Sequence, residues 1–460
     1  MITIIGSGYV GLTYAAGLTS KGFNVNLVDV KQDIVDMVNK GISPIWEPNL
    51  ETLLDDAVRK GLLKATTKLG DVFRDSELFL VCVGTYCDDE GNIDLSQVKA
   101  VANDLKDLYK DDVEPGYKVI CVKSTVICGT TDGVVLPIIK ESGKKVGSDF
   151  GLAMSPEFLK EGSALEDILH PDKIVIGGWD EKSIKTVRSI LGAFLGENQD
   201  ELIIETDLRT AELIKYAQNS LLATKISFIN EMSRFAELFG VNVGDIARAV
   251  GMDSRISPKF LNAGPGFGGS CFPKDVMALY SAGKKAGYDP LLLKAILDVN
   301  RNQKEHVVEL LAKEIILKDA SVSILGLAFK ANTGDTRKSV CRVVIPRLIE
   351  LGVKKLKVHD VSPEAREEIM KDFPPGDKIS YHEEIVSCIK DTNACIILTE
   401  WVNYKELSPT IFGNHLTARD GDQIPVVLDT RRLYNPKDFK DQPVKLVILG
   451  ESKDRSYIPK

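Results

Sequence analysis

The chain has 460 residues, too many to share one hydrophobic core, so two or three domains are expected. With 44% hydrophobic and 27% charged residues it has the composition of a globular protein, and a formal net charge of −8 argues against a nucleic-acid surface. Eight cysteines without a C-x-x-C pair, five histidines without ligand spacing and no apolar run able to span a bilayer leave a reduced, cytoplasmic, metal-free protein as the expectation.

The first segment reads as a dinucleotide site. A short apolar strand, Thr3-Ile-Ile5, runs into Gly6-Ser-Gly-Tyr-Val-Gly11, and Leu12 onward continues as a helix. A second strand, Asn24 to Asp29, ends in an acid eighteen residues beyond the third glycine, the place of a ribose-binding carboxylate. Gly6 makes the turn, Gly8 admits the pyrophosphate, Gly11 lets the helix pack closely, and the helix dipole faces the phosphates. Tyr9 and Val10, inside the motif, join the expected cofactor contacts. Asp29 would repel a 2′-phosphate and so selects NAD over NADP.

Strands are expected next at Leu78 to Val83, Lys118 to Val122 and Lys173 to Ile176, alternating with helical patterns such as Leu95 to Leu108. That alternation predicts a parallel, doubly wound sheet, whose ligands lie beyond the C-terminal ends of the strands. Three polar segments fall there, giving Gly84, Thr85, Ser124, Thr125, Glu157 and Glu161 as residues lining the cofactor and the reaction site.

From Thr210 to about Phe239 the chain has no Gly or Pro and its apolar residues recur at three and four, which predicts one helix. At thirty residues it would be about 45 Å long, enough to connect two domains. Lys215 and Asn219, four apart, share one of its faces. After a further helical segment, Asp245 to Val250, comes Gly264-Pro-Gly-Phe-Gly-Gly-Ser-Cys-Phe-Pro-Lys-Asp275, whose glycines let the backbone pass close to a ligand. Pro273 fits the first turn of a helix and places Cys271 at its N-terminus, where the dipole and nearby Lys274 favour the thiolate.

A helix over Val307 to Leu317 and a boundary at Lys318 to Ala320 lead to a second alternating series. Its strands are expected at Val322 to Gly326, Leu356 to Asp360, Ala394 to Leu398, Val426 to Asp429 and Leu446 to Leu449, without G-x-G-x-x-G. Lys330, Arg337 and Arg431 suit phosphate or sugar recognition better than redox cofactor binding. The fold class is therefore α/β, two Rossmann-like doubly wound domains joined by a long central helix, with domains at 1–200, 201–315 and 316–460.

Seven motifs carry a family resemblance. Gly6-Ser-Gly-Tyr-Val-Gly11, Val81-Cys-Val-Gly-Thr85, Lys123-Ser-Thr125, Pro156-Glu-Phe-Leu-Lys-Glu-Gly162, Ala211-Glu-Leu-Ile-Lys-Tyr216, Gly266-Phe-Gly-Gly-Ser-Cys-Phe-Pro-Lys-Asp275 and Leu325-Gly-Leu-Ala-Phe-Lys330 resemble the nucleotide-sugar dehydrogenases over nearly the whole chain. The run from Arg255 to Gly268 looks like the UDP-glucose branch. The resemblance implies a two-step, four-electron oxidation of UDP-glucose at C6 to UDP-glucuronate with two NAD⁺, in a cytoplasmic homodimer whose long helix forms much of the interface. It implies Cys271 as nucleophile, Lys215, Asn219 and Asp275 around the reacting oxygen and water, and Glu157 and Thr125 in proton transfer or water positioning. Substrate contacts would come from Glu157, Phe158, Leu159 and Lys160, from Lys215 and Asn219, and from Arg255 reaching the partner subunit's substrate. Phe260, Leu261, Asn262, Gly264, Gly266, Phe267 and Gly268 would add to these, as would Phe329, Lys330 and Arg431. Lys274 and Arg337 would approach the cofactor. Tyr86, Ile34, Ile127-Cys128 and Ser257 depart from the family's usual residues.

The chemistry asks for these residue types in its own right. An aldehyde cannot surrender a second hydride until something adds to its carbon. A thiolate at Cys271 can add, and the thiohemiacetal can be oxidised to a thioester and hydrolysed. Enzymes for GDP-mannose or a UDP-N-acetylhexosamine would share this machinery. A single-oxidation dehydrogenase of the hydroxyacid type would have no use for Cys271, and an inactive nucleotide-sugar binder would show an eroded Cys loop.

Overall fold

The computed structural model describes residues 1–112, 116–419 and 423–452. Internal packing divides the chain into two compact units, Met1–Gln218 and Asn219–Lys460, with the division inside the helix Leu208–Phe239. The end of the expected third domain, 453–460, lies outside the described residues.

The first unit holds one sheet of eight strands: β1 (Ile2–Ile5), β2 (Val25–Val28), β3 (Leu63–Thr66), β4 (Leu78–Val81), β5 (Lys118–Val122), β6 (Phe150–Met154), β7 (Ile174–Gly178) and β8 (Ile203–Thr206). They lie in the order β3-β2-β1-β4-β5-β6-β7-β8. Every residue of β1, β2, β4, β5 and β6 is buried, because helices cover both faces; this is why the sequence shows continuous apolar runs there rather than alternation. The expectation of an all-parallel sheet needs correcting at one place. β7 runs antiparallel to β6, pairing Ala153 with Gly178 and Met154 with Gly177. Gly177 has no room for a side chain, since a Cβ would stand 2.5 Å from the Asp207 carbonyl oxygen and 2.7 Å from the Ala211 Cβ at the start of the long helix.

The second unit repeats the first six strands. β9 (Ser321–Leu325), β10 (Lys355–His359), β11 (Ile379–Tyr381), β12 (Ala394–Ile397), β13 (Val426–Asp429) and β14 (Lys445–Ile448) lie in the order β11-β10-β9-β12-β13-β14, all parallel. Read by position, the first six strands of the first sheet and the whole of the second share the order 3-2-1-4-5-6, with chain reversal between strands one and four, where such sheets bind ligands. The turns after the first strands match in detail. Gly6 and Gly326 have φ +102° and +106°, and their amides donate to Val28 and His359, each at 2.8 Å.

The helix expected at Val307 to Leu317 is longer and starts earlier, at Leu291–Glu314, capped by Pro290. Its polar residues disguise it. Asn300, Gln303, Lys304 and His306 are buried, although that polarity reads in the sequence as solvated surface.

Candidate active site

The turn after β1 is shaped for a dinucleotide. A Cβ on Gly6 would stand 2.7 Å from the Cys82 carbonyl oxygen, and one on Gly11 would lie 1.8 Å from the Gly6 oxygen, so the helix Tyr9–Ser20 rests directly on the turn. A Cβ on Gly8 would meet nothing within 4 Å, which leaves the helix N-terminus bare to an anion. Asp29 follows β2 and accepts from the Ser7 amide at 2.9 Å, from the Ser7 hydroxyl and from the Lys31 amide at 3.0 Å. Its carboxylate is thereby fixed beside the turn. Open glycine backbone next to a fixed, half-buried acid fits the pyrophosphate and ribose of NAD.

The matching acid of the second unit is used differently. Asp360 follows β10, is fully buried, and accepts from the Leu327 and Ala328 amides at 2.6 and 2.9 Å and from the Ser362 amide at 2.8 Å. Burial pushes its carboxyl upward despite these amides. Asp360 thus takes two amides of the turn that, in the first unit, lead into the helix of the fingerprint.

Beyond β4 and β5, Thr85 donates to the Thr125 carbonyl at 2.7 Å and Gln97 occupies the Gly84 amide at 3.0 Å. Ser124 is buried and donates to Val83 at 2.7 Å, while Thr85 and Thr125 stay half-buried. After β6, Glu157 Oε1 lies 2.7 Å from Lys215 Nζ, with both side chains buried, and Glu157 Oε2 accepts from the Leu159 amide at 2.6 Å. Burial pushes the Glu157 carboxyl up, but Lys215, the Leu159 amide and the more distant Lys123 outweigh it and hold the group below its ordinary value. The Lys173 and Lys215 nitrogens lie 4.4 and 5.6 Å from the centre of the Phe158 ring. Lys160 is ion-paired with Asp167 at 2.5 Å. Glu161 is half-buried in the same loop. No sequence signal pointed to Glu47, whose buried carboxylate accepts from the Gly162 and Ala164 amides at 2.8 and 2.6 Å and so anchors the far end of that loop.

In the second unit Cys271 caps the helix Phe272–Lys285 with Pro273 in the first turn, as the sequence predicts. One turn on, Asp275 Oδ2 accepts from Asn219 Nδ2 at 2.6 Å and Oδ1 lies 2.7 Å from Lys274 Nζ, an ion pair without the alignment of a hydrogen bond. Asn219 and Asp275 are 4% and 1% exposed, so the pair is shielded from competing water. A small core of Ala223, Phe267, Val276 and Ile296 seats the loop; a fully buried Phe there contributes about 2–3 kcal/mol. Three side chains absent from the sequence reading fix the loop backbone. Asn230 accepts from the Gly264 amide at 2.8 Å, Gln303 donates to the Gly264 carbonyl at 2.9 Å, and Asn300 bonds both the amide and the carbonyl of Phe267 at 2.7 and 3.1 Å.

The loop glycines are not equivalent. Gly266 has φ +106° and a Cβ there would lie 2.9 Å from Asn300 Oδ1, whereas a Cβ on Gly264 would make ordinary contacts of 3.7 and 3.8 Å with Thr430 and Arg431. Gly266→Ala is therefore expected to cost about 2 kcal/mol or more, and Gly264→Ala less than about 1 kcal/mol. Denaturant midpoints of the two variants give the comparison, and equal values would show that the loop is more plastic than its contacts suggest.

Three of the cations expected at phosphate, sugar or cofactor, Arg255, Arg337 and Arg431, are ion-paired with acids. Arg255 is exposed and bonds Asp253 through Nε at 3.0 Å and Nη2 at 2.6 Å; Arg337 bonds Asp335 at 2.9 and 2.7 Å in the same way. Arg431 is more firmly placed, with Nε donating to Leu398 at 2.7 Å, Nη2 to Phe329 at 3.0 Å, and Glu400 3.1 Å away. Lys330 Nζ lies 5.7 Å from the centre of the Phe329 ring. Phe260 and Ser257 carry φ +65° and +68°, left-handed backbone that favours glycine and is strained for these side chains. Among the described residues no His, Cys, Asp and Glu group of three or more could hold a metal, all eight cysteines are free, and no helix is long and apolar enough to cross a membrane.

Known proteins resemble this chain along nearly its whole length. Residues 1–195 match the NAD binding domain of the UDP-glucose/GDP-mannose dehydrogenase family, residues 209–302 its central domain, and residues 323–436 its UDP binding domain. A UDP-glucose 6-dehydrogenase of Haloferax volcanii is 36% identical over 443 residues, covering 96% of this chain and 98% of the relative. One from Bacillus subtilis is 36% identical over 442 residues, covering 95% and 90%. The solved structure of a UDP-glucose dehydrogenase from Pyrobaculum islandicum superposes with a TM-score of 0.86 at 34% identity, covering 98% of each chain.

Proposed function

The chain belongs to the UDP-glucose/GDP-mannose dehydrogenase family, and we propose on that premise that it oxidises UDP-glucose to UDP-glucuronate through Cys271. It is an NAD-dependent oxidoreductase. The observation that carries the mechanism is Cys271 at the N-terminus of its helix, one turn from the buried Asn219–Asp275 pair.

The Gly6 to Gly11 turn and Asp29 hold NAD, whose chemistry when bound is to accept one hydride in each of two oxidations. Loss of the first hydride and the hydroxyl proton leaves an aldehyde at C6. The Cys271 thiolate adds to it, forming a C–S bond and an oxyanion that takes up a proton. Loss of the second hydride, together with the hydroxyl proton, turns the thiohemiacetal into a thioester. Water attacks that carbonyl, the C–S bond breaks, and carboxylate and thiol are released. Lys215 and Asn219 stabilise the oxyanion at each tetrahedral stage. Asp275 and Glu157 move protons, and Thr125 positions water. Lys330 and Arg431 neutralise the diphosphate, and the loop from Phe260 to Gly268 selects the base and sugar by polar contacts that a wrong ligand would leave unpaired.

Each UDP-glucose consumed should yield two NADH, and at equal low concentration it should turn over at least about tenfold faster than GDP-mannose or the UDP-N-acetylhexosamines. One NADH per sugar would reject the thioester route. Faster turnover of GDP-mannose would keep the mechanism and replace the substrate.

A homodimer is part of this reading. Leu221, Phe228 and Phe235 recur every seven residues along the long helix at 63%, 44% and 44% exposure, an apolar row that a second copy would cover. Sedimentation at twice 50.5 kDa is expected, and a monomer mass at assay concentration rejects it. The eight free cysteines suit a reducing cytoplasm.

A further inference from the structure

Lys123, directly after β5, is 1% exposed, and its nitrogen donates to the Tyr14 hydroxyl at 2.9 Å, the Ser155 hydroxyl at 3.3 Å and the Pro156 carbonyl at 3.3 Å. It also lies 4.3 Å from the centre of the Tyr14 ring. All of these partners are neutral, and among the described residues no carboxylate reaches it within ion-pair distance. The two thiols nearby offer no counter-charge, because burial pushes Cys82 and Cys121 up to about 12. Burying an ammonium without a contacting anion is costly, so the charge calls for a reason.

Glu157 stands one residue beyond the carbonyl that Lys123 holds, feels the Lys123 charge, and is already in contact with Lys215. Alone, that contact pair would be neutral, and Glu157 would cancel the attraction of Lys215 for a developing oxyanion. Two buried ammoniums facing one carboxylate leave a positive surplus, with the half-buried Lys173 at the rim beside Phe158. We propose that Lys123 is a positioning residue for the oxidation: its buried charge offsets Glu157, so Lys215 keeps a net pull on the reacting oxygen, while its hydrogen bonds fix the Ser155–Pro156 turn. This rests on the reading that Glu157 and Lys215 serve the reaction.

Among the described residues Lys215 from the long helix and Lys123 after β5 act on Glu157, Cys82 lies near enough to feel it, and Lys173 before β7, Tyr14 from the first helix and Cys121 are neighbours of Lys215 or Lys123. A nearby cation favours the ionised carboxylate, and Lys215 and Lys123 both act on Glu157 in that direction. In Lys123→Gln, which still donates hydrogen bonds, the acid limb of kcat/KM for UDP-glucose should therefore move up by about one pH unit. Its kcat should fall about tenfold while the KM values for UDP-glucose and NAD stay within about threefold. Lys123→Arg should keep the parent's acid limb. Glu157→Gln and Lys215→Met, assayed alongside, separate the two levels: if both turn over like the parent, the reading of the site itself fails. If both are impaired while Lys123→Gln keeps the parent's pH profile, only the role of Lys123 is rejected. Lys123→Met is the second neutral variant, and if neither neutral form melts cooperatively and binds NAD, Lys123 is a packing residue and the proposal is overturned.

Discussion

Cys271→Ser is expected to bind UDP-glucose as the parent does and to lose steady-state turnover by more than about a thousandfold, equivalent to about 4 kcal/mol of barrier. The hydroxyl keeps the position at the helix N-terminus, so packing around Phe267 and Phe272 is undisturbed. What changes is chemistry. A serine alkoxide is scarcely formed at neutral pH, and an ester releases its alkoxide less readily than a thioester releases a thiolate. The first oxidation makes no covalent bond to the enzyme, so a single NADH per site can still form and then stop. Rapid mixing that shows a burst of no more than one NADH, followed by a flat line, is the predicted trace. A Ser variant within about tenfold of the parent, only about 1.4 kcal/mol, would mean that Cys271 is not the nucleophile.

Much of this site could be read from the chain because its parts are local. The strand, Gly6 to Gly11, the helix and Asp29 span under thirty residues, and the backbone needs of each glycine dictate the residue type. The Cys loop is equally local, with Pro273 and Gly266 marking its turn and helix. What the chain hides is support that comes from far away. Asn230, Asn300 and Gln303 hold the Gly264 to Phe267 backbone from two helices, and a polar residue on a helix looks the same whether it meets water or a loop. Glu47 is hidden for the same reason, over one hundred residues from the amides it caps. The strands missed were mostly edges: β3, β8 and β11 end their sheets and are short, with charged or half-exposed residues interrupting the apolar signal. The fourth, β6, is central but contains Gly151 and Ala153, both weak strand formers. The antiparallel pairing of β6 with β7 has no local signature, because the glycines that permit it, Gly177 and Gly178, read equally well as an ordinary loop.

NADP is expected to be at least about two hundredfold poorer than NAD in kcat/KM, a difference of about 3 kcal/mol. Asp29 Oδ2 is fixed by the Ser7 amide and hydroxyl and so cannot swing away from a ligand on the ribose. Two unit charges 4 Å apart at an effective dielectric of 20 repel by about 4 kcal/mol, and a 2′-phosphate carries close to two. Asp29 is only half-buried, so solvent and salt reduce that figure, and about 3 kcal/mol is what remains after a substantial discount. The same screening supplies an internal control, because the preference for NAD should shrink as ionic strength rises, whereas a steric barrier would not respond. Asp29→Asn should raise the NADP to NAD ratio by at least about tenfold, by removing the charge while keeping an oxygen to accept from Ser7. Comparable efficiencies for the two cofactors in the parent enzyme, or a preference indifferent to salt, would place the selection of NAD somewhere other than this carboxylate.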